Sequence, residues 1–125
     1  MDKATREAKA LELTNAIVDG IQEKKGHNIV RIDLRNTSGA VCDYFVICHG
    51  DSDRQVLAIA DAVADETRKQ LSDKPWHREG MNNAEWVLLD YVNVVVHVFH
   101  RESREFYNLE GLWADAEIEE IEELA

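Results

Sequence analysis

The stretch AEWVLLDYVNVVVHVF, Ala84 to Phe99, decides the fold. It divides between Tyr91 and Val92 into two β-rich runs, AEWVLLDY and VNVVVHVF, with almost nothing separating them. Strands joined so tightly pair antiparallel, because a parallel pair needs a crossover of about a dozen residues or more. Successive positions in both runs are apolar, so both faces of this hairpin expect cover.

Working outward, DYFVICHG (Asp43–Gly50) reads as another strand that is apolar on both faces. NIVRIDL (Asn28–Leu34) alternates instead, with Val30, Ile32 and Leu34 facing one way and Arg31 and Asp33 the other. RNTSGAV between these two strands is a loop. A first amphipathic helix is predicted over Thr5 to Lys25 from Ala10, Leu13, Ile17 and Ile21, with Gly26 as its stop. A second begins at Ser52, which forms a capping-box pattern with Gln55, and carries Val56, Ile59, Val63 and Thr67 inward. Ser72 to Asn83 is a break holding Pro75 and Gly80, and a third helix is predicted from Phe106, Leu109 and Trp113. The order α-β-β-α-β-β-α makes this an α/β chain with a mixed sheet and flanking helices. Residues 1–115 read as one domain and 116–125 as an acidic tail. In that tail Ile118, Ile121 and Leu124 suggest a short amphipathic helix.

Composition narrows the function classes. The chain has 125 residues, 45% apolar and 31% charged, which is globular rather than disordered. No apolar run approaches the ~20 residues of a membrane span. MDKATREAKALEL has no apolar core and mixes acids with bases, so neither a secretory signal nor a mitochondrial transit peptide is expected, and the expected location is the cytoplasm. Net charge is −11, and the eight acids of 105–125, with no base among them, account for all but three units. Direct nucleic-acid binding, which needs clustered Lys and Arg, is disfavoured; a basic protein partner suits the charge better. Cys42 and Cys48 cannot form a disulfide framework and are expected as buried thiols.

No catalytic or metal constellation survives inspection. Cys48 and His49 fall on opposite faces of their strand, no C-x-x-C pair exists, and His97 and His100 are likewise split between faces. His97 reads as a core or hairpin histidine. The strand-to-helix turn Gly50–Asp53 has the setting of a phosphate site, but Ser52 suffices as a helix cap and no G-x-x-x-x-G-K run is present. A nucleotidyl-transfer site would need two acids one residue apart on a neighbouring strand to hold metal. Asp51 and Asp53 have that spacing inside the turn, and Glu85 and Asp90 are five apart on opposite faces. Ser52, Asp90 and His97 supply triad residue types without a G-x-S-x-G elbow. Neither an enzyme nor a cofactor or metal is expected. What the sequence does show is more apolar strand than three helices can cover, with Trp86, Leu88 and Tyr91 as candidate partner contacts.

The blocks DYFVICHGDSDRQVLAIAD (Asp43–Asp61) and EGMNNAEWVLLDYVNVVVHVFHRESREFYNLEGLWAD (Glu79–Asp115) resemble the ribosomal silencing factor family, also called Iojap-related proteins, in its Bacillus-type wording. The resemblance runs from about Leu11 to Asp115 and rests on S-D-R-Q-V, E-G-x-x-x-A-x-W, W-V-L-L-D with V-V-V-H-V-F, and F-Y-x-L-E-x-L-W. It implies a fold related to nucleotidyltransferases without their catalytic acids. It further implies a repressor that binds ribosomal protein fourteen of the large subunit, blocks subunit joining when nutrients are scarce, and can form a homodimer. Matching motif positions places the partner surface at Glu79, Trp86, Leu88, Asp90 and Tyr91, with Arg54 and His97 as further members. The alternative is a degenerate nucleotidyltransferase-like protein that binds nucleotide at the Gly50–Asp53 turn.

Overall fold

The central hairpin closes as the sequence dictates. Strand β4 (Trp86–Asp90) and strand β5 (Val94–His100) pair antiparallel, with Trp86 opposite Phe99 and Asp90 opposite Val95. The chain is described by a computed structural model over residues 2–123. Ahead of the hairpin come helix α1 (Lys3–Glu23), strand β1 (His27–Asp33), strand β2 (Tyr44–Gly50), helix α2 (Asp53–Leu71) and strand β3 (His77–Glu79). After it come helix α3 (Arg101–Tyr107), a 3-10 helix at Leu109–Trp113 and strand β6 (Glu117–Glu120). One six-stranded sheet runs in the order β3-β4-β5-β2-β1-β6. Only β2 and β5 are parallel; every other neighbouring pair is antiparallel.

The alternation of side chains across the pleat sorts the core into two layers. On one face α1 and α2 pack on Tyr44, Val46 and Cys48 of β2 and on Val94, Val96 and Val98 of β5, with Ile17, Ile21, Val56, Ile59 and Val63 supplied by the helices. Val87 and Leu89 of β4, with Tyr91 just after it, belong to the same layer. The opposite face carries Val30, Ile32, Phe45, Ile47, Val95 and Phe99, and Leu109 and Trp113 are laid over part of it. The expected inward stripe of α2 is buried throughout, and β2 is buried at every position. Burial holds the Cys48 thiol up at about 12 and the Cys42 thiol at about 11, so both are inert thiols at neutral pH.

Four expectations need correction. The break from Ser72 to Asn83 contains the short strand β3, which pairs with β4 through His77–Asp90, Arg78–Leu89 and Glu79–Leu88. The capping box is only half as expected: Ser52 Oγ accepts from the Gln55 N–H at 3.1 Å, but Gln55 Oε1 accepts from Asp51 N–H at 2.8 Å. Its Nε2 donates to the carbonyls of Lys24 and Lys25, so Gln55 also ties α2 to the end of α1. Ser52→Ala should therefore lower unfolding free energy by about 0.5–2 kcal/mol, read by denaturant melts. A variant as stable as the parent would show that Gln55 holds the turn alone.

The third correction concerns the last predicted helix, which is two short ones. Asn108 sits in the left-handed region at φ 46°, a conformation asparagine tolerates, and its N–H closes on the Arg104 carbonyl. The reversal turns Leu109 into the core and leaves Phe106 81% exposed. The fourth concerns the acidic tail. Glu117–Glu120 is not helical but forms β6, pairing antiparallel with β1 from Val30–Glu120 to Asp33–Glu117. Arg31 pins it by an ion pair to Glu119 while also donating to Thr14 Oγ1 and Asn15 Oδ1 of α1. Leu124, the last member of the expected tail stripe, lies outside the described residues.

Candidate docking face

Two helices cover one side of the sheet, whereas a helix of seven residues and one 3-10 turn cover the other. The uncovered part lies at β4. Trp86, Leu88 and Asp90 all point to this side and are half-buried, alternating with fully buried Val87 and Leu89. Cross-strand pairing puts Glu79 beside Leu88 and His77 beside Asp90 on the same side. The result is an open groove of about 370 Å³ lined by Glu79, Gly80, Asn83, Glu85, Trp86, Leu88 and Tyr107.

Trp86 is the fixed point of this groove. Its indole clusters with Phe99 and Tyr107, each 4.9 Å away between ring centroids and 6.5 Å from one another. Its Nε1–H donates to His97 Nδ1 at 3.0 Å from within the sheet. The donor is thus satisfied internally, and the outer side of the ring can be covered without stranding a buried N–H, which would cost about 1–3 kcal/mol. Because Nδ1 accepts, neutral His97 carries its proton on Nε2, which is buried without a hydrogen-bond partner. Burial among Phe45, Trp86 and Phe99 holds its pKa down at about 4.

The sequence-predicted residues separate accordingly. Glu79, Trp86, Leu88 and Asp90 come together on one face. His97 lies beneath that face and supports Trp86. Tyr91 is on the opposite side of the sheet, 8% exposed, with its hydroxyl 2.8 Å from Thr67 Oγ1, and so belongs to the helix-side core. Arg54 is exposed in the first turn of α2, on the helix-bearing layer, away from the groove. Sequence reading missed Tyr107, Gly80, Asn83 and Glu85. For Tyr107 the available signal was Asn108, a residue suited to ending a helix in the left-handed conformation.

A larger cleft, about 580 Å³, opens at the carboxyl ends of β2 and β5, where parallel strands often hold ligands. Its buried cation is already engaged by neighbouring protein groups. Buried Arg104 pairs with Glu110 and donates to the His27 carbonyl and His49 Nδ1. Asp51 is paired with His27 at 2.9 Å and with Arg101 at 3.2 Å, which leaves the Gly50–Asp53 turn no free acid pair for a metal. Among the described residues no group of three His, Cys, Asp or Glu side chains is placed to hold a metal ion, and no helix is long and apolar enough to cross a membrane.

His49 resembles His97 in its titration. Burial first, then the positive charges of Arg104 and His27, hold its pKa at about 4. Both histidines titrate near 6.5 when unfolded, so folding favours their neutral forms. Their contribution to stability is complete above about pH 6.5 and is lost as pH falls toward 4, at up to about 1.4 kcal/mol per pH unit for each. Thermal midpoints measured from pH 7.5 to 4 should fall steadily across that window. A flat profile would mean that the two rings take up protons in the folded protein as readily as in the unfolded chain.

The comparisons with known proteins agree with one another. The profile of the family described as "Ribosomal silencing factor during starvation" matches residues 7–125. The chain is 45% identical over 103 residues to the ribosomal silencing factor RsfS of Bacillus subtilis, covering 80% of this chain and 83% of that protein. It is 40% identical over 111 residues to RsfS of Halalkalibacterium halodurans, covering 89% and 93%. A crystal structure of a Chromobacterium violaceum protein superposes with a TM-score of 0.78 at 31% identity, covering 83% of this chain and 85% of that one.

Proposed function

This chain belongs to the ribosomal silencing factor family, and on that premise we propose that it represses translation by binding the large ribosomal subunit through ribosomal protein fourteen. The bound protein occupies space that the small subunit needs, so its binding free energy competes with subunit joining and no bond is made or broken. The setting is nutrient limitation, as the family's description indicates. Support comes above all from one observation: the sheet face at Trp86 and Leu88 is apolar, half-covered and stiffened from beneath by His97. An aromatic anchor of this kind, set among contacts that exclude water, is the usual energetic centre of a protein interface. The chain's charge of −11 suits a basic partner and opposes RNA phosphate.

Two measurements test the reading. The protein should co-sediment with purified large subunits and not with small ones. Light scattering after mixing the two subunits should then rise more slowly and to a lower plateau as the protein is added. Failure to co-sediment with large subunits sinks the proposal, and binding without any effect on joining removes the steric mechanism.

A further inference from the structure

We infer that the end of α2 and the edge strand β3 form a second surface, one that holds an unpaired RNA strand with a base stacked on Trp76. This surface is separate from the docking face, and the inference does not rest on the large-subunit reading. The first observation is Trp76. Its side chain is 83% exposed, yet its main chain is fixed. Pro75, with φ locked by its ring, precedes it; its own N–H donates to the Asp90 carbonyl at 2.7 Å; and His77–Glu79 pair with β4 directly after it. Between 68 and 80 no other large apolar side chain is exposed. A membrane surface or a protein hot spot needs contiguous apolar area. A single flat ring held by the backbone suits instead the π-face of an unpaired base, which every nucleotide supplies.

The second observation is where positive charge collects. Residues 68–78 hold Arg68, Lys69, Lys74 and Arg78 against one acid, Asp73, in a chain whose net charge is −11. The fold gathers these bases. Arg68 and Lys69 lie in the last turn of α2, and the Asp73 N–H donates to the Thr67 carbonyl, which brings Lys74 back beside that turn. Arg78 pairs with Leu89, a buried residue of the helix-bearing layer, and so faces the same side. Bases in a last helical turn complement the helix dipole, but Lys74 and Arg78 lie outside any helix. Arg68 meets Asp65 in an exposed pair that water screens heavily. Among the described residues, no carboxylate stands within ion-pair distance of Lys69, Lys74 or Arg78. The acidic strand β6 borders the opposite edge of the sheet, five strand spacings or about 24 Å away. That is about three Debye lengths at physiological salt, so local charge governs this corner. Cations around one fixed ring match a strand whose phosphates pass by while a base leaves the stack.

The test is fluorescence anisotropy of a labelled single-stranded RNA about twelve nucleotides long, titrated with the full chain at low salt. Saturable binding is expected, tighter than for a duplex of the same length, whose bases are not free to stack on protein. Trp76→Ala should weaken it about tenfold while its thermal midpoint stays at the parent's value, and Trp76→Phe should recover most of the loss. Lys74→Ala combined with Arg78→Ala should also weaken it and should reduce the slope of log affinity against log salt by about 1.4, the signature of two single-strand phosphate contacts. Phe106→Ala, which removes a similarly exposed ring on α3, should bind the RNA like the parent. Absence of binding by the parent overturns the inference. So does a Trp76→Ala variant that binds like the parent, or a duplex that binds as tightly, since the patch would then meet polyanions without stacking. If Phe106→Ala loses as much as Trp76→Ala, the RNA lies on another surface and the assignment fails.

Discussion

Gly80→Ala should unfold well below the parent, by about 2–5 kcal/mol, and should lose the docking groove with it. Gly80 follows β3 and lines the groove at φ +83°, a region that costs a non-glycine residue about 1–2 kcal/mol. A Cβ placed there would stand 1.9 Å from the Trp86 carbonyl oxygen, which is backbone and cannot swing away. Either the β3–β4 connection shifts or Trp86 does. Over-packing of this kind typically adds about 1–3 kcal/mol. Gly39→Ala is the internal control, for Gly39 has φ +79° but nothing within 4 Å of its Cβ position. It should cost only the backbone term. Denaturant melts of both variants separate the two contributions, and equal losses would show that the contact with Trp86 is relieved at no cost.

Trp86→Ala carries the second large effect, and it falls on two readouts. The ring packs at a tilt against Phe99 and Tyr107 and donates to His97, so truncation should cost about 3 kcal/mol of stability, the lower end for a large aromatic because the residue is half-buried. It also leaves His97 with neither ring nitrogen partnered. Binding to large subunits should weaken by about 2 kcal/mol or more, roughly 30-fold, when measured at a temperature where the variant is folded. Trp113→Ala should cost a similar amount of stability, since its ring meets Phe45 edge-on at 5.9 Å, but should leave binding near the parent's value. If Trp86→Ala binds normally while folded, the interface lies elsewhere.

The hairpin, the two-sided strands and α2 were legible in the sequence because they obey local periodicities. An apolar repeat of two or of 3.6 is set by backbone geometry alone, and Val94–Phe99 or Val56–Thr67 could adopt little else. The segments read wrongly were those whose structure is decided by a partner distant in sequence. AEIEEIEELA has a helical look in isolation, but the unpaired edge of β1 and the Arg31 side chain recruit Glu117–Glu120 as a strand. His77–Glu79 is too short to show alternation and becomes a strand only because β4 lies beside it. At the site, the sequence pointed to the β4 residues as a group without resolving their sides. The pleat places Tyr91 with Thr67 and Trp86 with His97, and a list of motif positions does not distinguish these.

Strand β6 also governs how this protein behaves when crowded. A sheet with a long bare edge invites another chain to pair with it, and β1, which carries Ile29, Val30 and Ile32, would be such an edge. The tail occupies that edge and replaces it with Glu117, Glu119 and Glu120, every residue of the strand exposed. The far side of the sheet ends in three residues, His77–Glu79, too few to template much pairing. A second copy approaching edge to edge therefore meets like charge on one flank and a short, charged strand on the other. The molecule can keep an apolar face open while its sheet resists growing into fibres, and the acidic tail, expected as a helix, is what terminates the sheet.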